Sequence, residues 1–443
     1  MLKIFDTLQN SETKIDLYTD KSINFYSCGP TVYNYAHIGN LRTFIMTDLL
    51  VRTLKANGHK VNWVMNLTDI DDKTITGAIA EFGSNANIQT LKTYTSRFAE
   101  KFISDLREVG IDTEQINFIN VTDVIPDVQE FVVSLIEKGY AYKADDGSTY
   151  FSIEKYQADF KDYGALVGEK FLEGKQVGAR IKNDEYEKDN LSDFALWKAW
   201  DESDGQIFWD HPSLGKGRPG WHIECSAINQ VAFDGKTTDI HTGGVDLIFP
   251  HHTNEIAQSQ PIVNPFVKYW VHFEHLLVDG KKMAKSLKNV YTIEDLKAKG
   301  YSGLDLRYLF LQSGFRQQSN FTWESLEAAK TSRSKLKSAY TDSENYDDAD
   351  FLATVNENLN TSAALAYAWN HKDNLSFFDT VFGLKLSEQD HFDIPAEVQN
   401  LLDERQTARD NKDFENSDRL RKEIENMGYE VKDTANGQQI TKR

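Results

Sequence analysis

The chain has very few cysteines: Cys28 and Cys225 are the only two among its 443 residues. Two cysteines cannot build the disulfide framework on which small secreted proteins depend, and a cytosolic protein should not need one. The two thiols are therefore either inert buried side chains or ligands of a metal ion.

Long apolar runs are also missing. No stretch approaches the ~18 residues that a membrane-spanning helix requires, and the start, Met-Leu-Lys-Ile-Phe-Asp, lacks the pattern of a signal peptide. We therefore expect a soluble, cytoplasmic protein with no membrane partner. Internal repeats and low-complexity segments are absent from the sequence as well, so nothing indicates a repeat architecture.

A general excess of positive charge is the third absence. Lys and Arg total 49 against 68 Asp and Glu, which gives a net charge of −19. A protein that coats nucleic acid would have a broadly basic surface, so the composition argues against that class. A local basic patch is still compatible with these totals, because lysines gather at 281–288 and cations recur in the C-terminal helices.

A strand–helix–strand pattern opens the chain. Residues 24–28 are typical of a short buried strand, apolar residues recur at helical spacing over 38–56, and 61–65 is a second strand. Such a βαβ unit predicts a parallel sheet. Ligands of parallel sheets lie at the carboxyl ends of the strands, which here are the segments 28–35 and 66–72.

The later elements are predicted more coarsely. At ~150 residues per domain, the length predicts about two to four domains. Apolar periodicity predicts helices at 90–109, 124–138, 293–315, 323–340 and 397–426. A hairpin is predicted at 141–153, the 160s to 190s are polar and irregular, and a second βαβ half is predicted to end near 292. The acidic stretch 341–350 is interpreted as a linker, and the chain beyond it is predicted to be mostly helical.

Residues 221–286 concentrate side chains that bind metal ions. They include Cys225, the adjacent pair His251 and His252, and Glu255. Residues four apart share one face of a helix, so His251 and Glu255 can hold one ion together. The residue pattern alone does not decide whether His251 or His252 is the ligand. With Cys28 these residues make a plausible four-ligand zinc set. For any single one of them, an ordinary structural role is the commoner outcome.

Two short segments have features of a phosphate site. Residues 37–40 (His-Ile-Gly-Asn) stand where a strand's loop enters a helix, and a helix N-terminus offers free N–H groups to phosphates. Gly39 allows close approach of the backbone, and His37 and Asn40 can donate hydrogen bonds. Residues 282–286 (Lys-Met-Ala-Lys-Ser) place two lysines three apart. Alone, each segment would be interpreted as a helix start or a solvated loop; together they indicate nucleotide chemistry.

These two segments resemble the HIGH and KMSKS signatures of class I aminoacyl-tRNA synthetases. The sequence is most similar to the cysteinyl-tRNA synthetase family within that class. The supporting segments are 28–33 (Cys-Gly-Pro-Thr-Val-Tyr), 66–73 (Asn-Leu-Thr-Asp-Ile-Asp-Asp-Lys), 193–198 (Asp-Phe-Ala-Leu-Trp-Lys) and 217–225 (Gly-Arg-Pro-Gly-Trp-His-Ile-Glu-Cys). The similarity extends over the whole chain and is strongest before residue 320.

The resemblance implies an α/β fold, in which a Rossmann-like parallel-sheet catalytic domain carries an inserted mixed α/β region and is followed by a C-terminal α-helical anticodon-binding region. The implied divisions are the first catalytic half at 1–84, the inserted connective region at 85–200, the second half at 201–292, a helical stem-contact region at 293–340 and the anticodon-binding domain at 341–443.

The resemblance also implies the chemistry. Cysteine and ATP, the latter with Mg²⁺, would form cysteinyl-adenylate, and the cysteinyl group would pass to the 3′ end of tRNA(Cys). The implied partners are therefore ATP, L-cysteine and tRNA(Cys), and the expected state is a monomer. One zinc ion per chain would select the cysteine thiolate over serine, which shape alone discriminates poorly, so no editing domain is required.

The implied site residues form three groups. The catalytic residues are His37, Asn40, Lys282 and Lys285, which bind ATP together with Gly39. The cysteine pocket consists of Thr68, Trp221, His241 and Asp246, with Asp246 facing the α-ammonium. The zinc ligands are Cys28, Cys225, His251 and Glu255, so the resemblance favours His251 over His252. Cations expected on exposed faces of the C-terminal helices, toward tRNA, are Arg405, Arg409, Lys412, Arg419, Arg421 and Lys422.

The sequence departs from the family pattern at a few positions. Asn40 replaces the second histidine of HIGH, and Ala284 replaces the first serine of KMSKS while both lysines remain. Residues 358–362 only approximate the family's Asp-Leu-Asn-Thr-Pro, and the last residues lack a tryptophan common near the family's end. These last two departures concern RNA recognition rather than catalysis.

Two other functions share these motifs. One is a cysteine ligase of mycothiol synthesis, which joins cysteine to an amino sugar, and the other is a non-catalytic zinc-binding relative. The long C-terminal region with its basic helical positions favours tRNA over an amino sugar. The intact lysines and four intact ligands argue against lost catalysis.

Overall fold

The structure is a computed structural model that describes residues 1–16, 22–168, 176–181, 190–342, 347–388, 395–434 and 437–442. By packing, the chain forms two compact units, Met1–Leu386 and Ser387–Arg443. Within the described ranges, no helix is both long and apolar enough to cross a membrane. The functional domain limits implied by the resemblance stay predictions.

The helices of the larger unit are α1 (Ile38–Ala56), α2 (Asp72–Phe82), α3 (Ile88–Glu108), α4 (Ile125–Glu137), α5 (Ile153–Asp159), α6 (Trp221–Ala232), α7 (Thr253–Ser259), α8 (Ile293–Ala298), α9 (Gly303–Leu311), α10 (Trp323–Ser338), α11 (Ala349–Asn356), α12 (Thr361–Asn370) and α13 (Leu375–Phe382). Those of the smaller unit are α14 (Ala396–Asp410) and α15 (Phe414–Asn426).

The strands are β1 (Lys3–Asp6), β2 (Ser11–Lys14), β3 (Ile23–Ser27), β4 (Val61–Leu67), β5 (Ile116–Asn120), β6 (Ala141–Lys143), β7 (Thr149–Phe151), β8 (Gln176–Ile181), β9 (Asn190–Ala199), β10 (Gly217–Pro219), β11 (Thr238–Gly244), β12 (Val267–Phe273), β13 (Leu276–Val278), β14 (Lys281–Lys282), β15 (Ser319–Phe321), β16 (Tyr429–Thr434) and β17 (Gly437–Lys442).

Five parallel strands in the order β12–β11–β3–β4–β5 form the central sheet. Every residue of β11 is buried, as is usual for a parallel strand that is covered on both faces. The chain adds β4 and β5 on one side of β3, and β11 and β12 on the other. The crevice at the carboxyl ends of β3 and β11, where this direction changes, is the usual ligand site of such sheets. The predicted parallel sheet is therefore confirmed.

Helix α1 begins directly beside this crevice. His37 is its N-cap: the imidazole accepts a hydrogen bond from the N–H of Asn40, and the Asn40 amide oxygen accepts one from the N–H of His37. This reciprocal cap satisfies two backbone donors and fixes where the helix starts. At the other end, Gly58 takes the left-handed conformation, with φ +86°. The predicted helix at 38–56 is confirmed.

The inserted region contains a mixed sheet. Strands β10, β9, β7 and β6 are antiparallel neighbours, and β8 pairs in parallel with β9. The predicted hairpin is confirmed by the pairing of β6 with β7. The prediction that the 160s to 190s are irregular is wrong for β8 and for the start of β9, while residues 169–175 and 182–189 lie outside the described part of the chain.

A small sheet in the order β14–β13–β15 leads into residues 282–286, which we call the lysine segment. It is fixed to α1 by Arg42, whose buried guanidinium donates to the backbone oxygens of Glu274, Gly314 and Gln317. The single helix predicted at 293–315 is wrong, because α8 and α9 are separate. Gly300 has φ +81° and stops the first helix, and Ser302 caps the start of the second.

The smaller unit also differs from the prediction of a single long helix at 397–426. Helix α14 ends where Lys412 takes φ +59°, and Asp413 caps the start of α15. The strands β16 and β17, which the sequence did not predict, form an antiparallel hairpin. Arg405 is buried and bonded to Asp433, so its expected place on an exposed face is wrong.

The acidic stretch at 341–350 is only partly a linker. Residues 343–346 lie outside the described ranges, and Asp348 caps helix α11, which begins at Ala349. Helices α11, α12 and α13 belong to the larger unit, where Phe351 stacks on Phe378 with ring centroids 4.3 Å apart.

Candidate functional site

A buried cluster of metal-binding side chains lies at the crevice. Cys28 follows β3, Cys225 lies on α6, His251 lies in the turn Ile248–His252, and Glu255 lies on α7. One ligand atom from each can be chosen so that all lie within 4.8 Å of one another. The sulfur atoms of the two cysteines are 3.7 Å apart, and His251 Nε2 is 3.0 Å from Glu255 Oε1. The structure thus brings together the four residues that the resemblance named.

A second ligand set overlaps with the first. It replaces Cys225 and His251 with His241 and His252, and it shares Cys28 and Glu255. Here His241 Nε2 is 2.9 Å from Glu255 Oε2, and His252 Nε2 is 3.3 Å from the sulfur of Cys28. Because the sets share two residues that each offer one ligand atom, they describe alternative positions for one ion.

The two histidines left open by the sequence differ in what lies behind them. His252 Nδ1 is 2.7 Å from His272 Nε2, and His272 Nδ1 is 2.7 Å from the hydroxyl of Thr7. His251 Nδ1 lies 3.1 Å from His222 Nδ1. Histidine ligands usually have such a partner on the second ring nitrogen, so both rings are oriented toward the cluster.

The donor set fits zinc. Two sulfurs, an imidazole and a carboxylate are ordinary zinc ligands, and soft thiolates favour zinc over calcium or magnesium. His241 also has a buried Nδ1 with no hydrogen-bond partner among the described residues. Burying a polar atom without a hydrogen-bond partner is energetically unfavourable. A group bound at this site would be expected to supply the missing partner.

The charges in the cluster are strongly coupled. Burial opposes ionisation of Glu255, but His241 and His251 outweigh it and hold the carboxyl pKa at about 2. Burial likewise opposes the charge on His251, but Glu255 outweighs it and raises that pKa to about 10. The pKa of the Cys28 thiol is raised by burial and by neighbouring Cys225. Binding of a dication would therefore release protons from His251 and Cys28, whereas Glu255 is already ionised.

The residues of the predicted cysteine pocket surround this cluster, except for one. Trp221 stacks on His251 with ring centroids 4.2 Å apart. The Thr68 hydroxyl donates a hydrogen bond to Glu224 Oε2 at 3.0 Å. Glu224 directly precedes Cys225 of the cluster. Asp246 is instead exposed, in the turn Val245–Leu247, where its negative charge favours protonation of His37.

The predicted nucleotide residues lie at the N-terminus of α1 and on the small sheet. His37 and Asn40 form the reciprocal cap described above, and Lys282 is exposed in β14. Gly39 is closely packed: a β-carbon there would lie 2.0 Å from Cε of Met283, the far end of a flexible side chain. Lys285 opens the turn Lys285–Leu287, and its side chain lies outside the described atoms.

Sequence reasoning missed several polar residues of the site. Glu224 and His222 lie within the segment 217–225. The available signal was that these two polar residues alternate there with apolar residues and with Cys225. His272 carried no signal, because its contact with His252 joins β12 to the turn Ile248–His252. Such contacts depend on how separate elements pack, and no local sequence pattern predicts them.

Comparisons with known proteins agree on one family. The model of the tRNA synthetases class I (C) catalytic domain matches residues 14–331, and the model of the cysteinyl-tRNA ligase anticodon binding domain matches residues 391–440. A cysteine--tRNA ligase of Chlamydia caviae is 40% identical, over 98% of this chain and 99% of that protein. One from Protochlamydia amoebophila is 39% identical, over 100% and 98%.

Solved structures show the same fold at low sequence identity. Mycobacterium tuberculosis methionyl-tRNA synthetase bound by methionyl-adenylate has a TM-score of 0.54 and 13% identity, covering 83% of this chain and 88% of that one. The ternary LeuRS–tRNA–LeuAMS complex of Agrobacterium radiobacter K84 has a TM-score of 0.53 and 11% identity, covering 82% and 83%. With the family models and near-full-length relatives, these findings establish that the chain is an enzyme of the cysteinyl-tRNA synthetase family, within the class I aminoacyl-tRNA synthetases.

Proposed function

We propose that the chain is a cysteine--tRNA ligase, which activates cysteine with ATP and transfers it to the 3′ end of tRNA(Cys). The observation that carries the proposal is the buried meeting of Cys28, Cys225, His251 and Glu255 at the switch point of the sheet. Similarity to curated cysteine--tRNA ligases over nearly the full length supports it.

These four residues would hold one zinc ion per chain. When bound, zinc prefers a soft thiolate to a neutral alcohol, which is the chemical difference between cysteine and serine. Trp221, Thr68 and His241 would enclose the side chain of the substrate, and Asp246 would receive its α-ammonium group. Selection by coordination removes the need for editing, since a thiol and a hydroxyl are close in size.

The first step would be in-line attack of the cysteine carboxylate on the α-phosphate of ATP, which Mg²⁺ accompanies. The protein contributes positioning and charge stabilisation rather than covalent chemistry. His37 is suited to this role because its Nδ1 accepts the N–H of Asn40, so a neutral ring carries its proton on Nε2 and can donate it to phosphate. Burial lowers the pKa of His37, which favours this neutral ring.

Asn40 and the lysines would complete the phosphate contacts. The Asn40 amide oxygen is bonded to the N–H of His37, which leaves its NH₂ group directed to other acceptors. Lys282 is exposed on the small sheet that Arg42 fixes to α1. We propose that Lys285 contributes its charge to the transition state, as its place in the signature implies.

The proposed macromolecular partner is tRNA(Cys), and the enzyme is proposed to act as a cytoplasmic monomer. The match of residues 391–440 to an anticodon binding domain supports tRNA over an amino sugar as acceptor. Among the cations expected to face RNA, Lys412, Arg419 and Lys422 are exposed. Arg409 and Arg421 both bond to Asp433, which already holds Arg405.

Charging of total tRNA with labelled cysteine tests the proposal. The expected result is ATP-dependent label in tRNA with cysteine and none with serine. Transfer of cysteine to an amino sugar without tRNA charging would instead support the ligase of mycothiol synthesis. Absence of cysteine-dependent ATP–pyrophosphate exchange by the zinc-loaded protein would support a non-catalytic relative.

A further inference from the structure

Three of the segments that carry the family resemblance contain charged residues with no part in the proposed chemistry. They are Asp72 of the segment 66–73, Lys198 of 193–198 and Arg218 of 217–225. In the structure these three side chains meet. Asp72 Oδ2 accepts from Lys198 Nζ at 3.2 Å, and Asp72 Oδ1 accepts from a terminal nitrogen of Arg218.

The cations of this ion cluster are buried, its charges are balanced, and Asp72 itself is 42% exposed. Lys198 and Arg218 are 3% and 7% exposed, and they stand opposite each other in the pairing of β9 with β10. Asp204 supplies the second anion, its Oδ1 lying 3.3 Å from Arg218 Nε. Removing one member of a buried ion pair leaves an uncompensated charge, which is strongly unfavourable. The relative positions of β9 and β10 therefore depend on the charge of Asp72.

The cluster lies where the two walls of the cysteine pocket are joined. On one side, β10 leads through Gly220 into α6, which carries Trp221 and Glu224. A β-carbon at Gly220 would lie 1.9 Å from the Ala195 oxygen, so this junction is pressed against β9. On the other side, Asp72 opens α2 four residues after Thr68, and Thr68 donates to Glu224.

Two polar contacts thus join the same pair of segments. The Thr68–Glu224 hydrogen bond lies in the pocket, and the Asp72–Arg218 ion pair lies behind it. We propose that Asp72 is a positioning residue for the cysteine pocket: through Arg218 and Lys198 it sets the distance between the Thr68 loop and the start of α6. This inference rests on the proposed function.

The test is Asp72→Asn in the full-length, zinc-loaded protein, measured by ATP–pyrophosphate exchange at varied cysteine and varied ATP. A shift of a pocket wall costs affinity for the ligand it contacts, so we expect the KM for cysteine to rise about tenfold or more. The KM for ATP should change less than about twofold, because α1 and the lysine segment are not touched. Zinc content should stay at one per chain, and Asp72→Glu should restore part of the cysteine affinity.

Asp159→Asn is the matched control. Asp159 is 39% exposed and bonded to a lysine and a tyrosine, against 42% for Asp72, but it lies outside the pocket. Both KM values should be unchanged in this control. Unchanged KM values in Asp72→Asn, or a loss of folded protein alone in both Asp72 variants, would overturn the inference by showing a purely structural role. Absence of exchange in the unsubstituted protein would instead reject the proposed function.

Discussion

The Cε atom of Met283 occupies the space that a side chain at residue 39 would need: a β-carbon on Gly39 would lie 2.0 Å from it. The lysine segment is thereby packed on the first turn of α1, beside the N–H groups proposed to bind phosphate. Because Met283 is a flexible side chain, the pair offers a test in which one substitution compensates for another.

The first prediction is that Gly39→Ala raises the KM for ATP about two- to threefold, since the added methyl forces the flexible end of Met283 to move aside. Met283→Ala in the same chain should recover most of that loss by removing the clash. Exchange kinetics at varied ATP measure both variants. If the double variant is as poor as the single one, the methyl acts on the backbone or the ligand and not through Met283.

The second prediction concerns Lys285. Lys285→Ala should lower kcat for ATP–pyrophosphate exchange by about 10²-fold or more while the KM for cysteine changes little, because its charge matters most in the transition state. Lys288→Ala, a nearby exposed lysine in the same segment, serves as the control and should retain near-normal exchange. Equal exchange in Lys285→Ala and the unsubstituted protein would contradict the transition-state role proposed for Lys285.

The third prediction concerns the metal. The purified protein should hold one zinc per chain, and Cys28→Ser should weaken cysteine binding sharply while ATP binding persists. In the cobalt-substituted protein, cysteine but not serine should change the metal's absorption spectrum, because a sulfur joins the coordination sphere.

Two histidine variants distinguish the overlapping ligand sets. His251→Gln should lose the metal if the set with Cys225 holds it, whereas His241→Gln should lose the metal if the alternative set does. A cobalt spectrum that does not respond to cysteine would refute direct thiolate coordination, whichever histidine proves to be the ligand.

The fourth prediction concerns the smaller unit. A chain ending after Leu386 should keep cysteine activation and lose most tRNA charging. A cut in the acidic stretch near residue 341 should instead destabilise the enzyme, because it removes α11 to α13 and with them the buried stack of Phe351 on Phe378. Normal charging by the chain ending after Leu386 would show that the smaller unit is not needed for tRNA.

The fifth prediction concerns the pH dependence of stability. Burial raises the pKa of Asp69 from 3.8 to about 6, although hydrogen bonds from Thr122 oppose the shift. The folded state therefore keeps a proton that the unfolded state has lost, and stability falls as pH rises from about 4 to about 6, by an amount on the order of 3 kcal/mol.

Asp69→Asn removes that titration. Its melting temperature relative to the unsubstituted protein should therefore increase between pH 4.5 and pH 7 (roughly the two sides of this titration). Asp123→Asn is a control without a titration in this window: a hydrogen bond from Asn120 and the Lys92 charge lower the pKa of Asp123 below its ordinary value of 3.8, so its relative melting temperature should not change between the same two pH values. A difference that is the same at both pH values for Asp69→Asn would show that Asp69 is ionised throughout.

Much of the fold could be predicted because local patterns determine it. Helix α1 is bounded by a capping residue and a left-handed glycine, and its apolar residues include a series at helical spacing, although the helix is buried on nearly every side. Strand β9 was not predicted because three of its first four residues, Asn-Leu-Ser-Asp, are polar and its partner β7 is distant in sequence. The break between α8 and α9 depends on a single glycine conformation, which apolar periodicity does not reveal.

The candidate site was predictable in its residues but not in its connections. Cys28, Cys225, His251 and Glu255 were named from residue type and resemblance, and the structure places them together. The row from His252 through His272 to Thr7 could not be predicted, because it joins the turn Ile248–His252 to β12 and then to the N-terminal segment. Contacts between such separate elements follow from their packing, which only the folded chain supplies.

The order of the central sheet has a consequence for synthesis on the ribosome. Phe25 of β3 pairs with Ile240 of β11, across the whole inserted region. At about 5–20 residues per second, roughly 10 to 40 s pass between translation of the two residues. During that interval β3 has an unpaired edge, which is a template for aggregation. Early folding of strands β6 to β10, which pair among themselves, would shorten the exposed chain, so the nascent enzyme should depend on chaperones most strongly before residue 244 emerges.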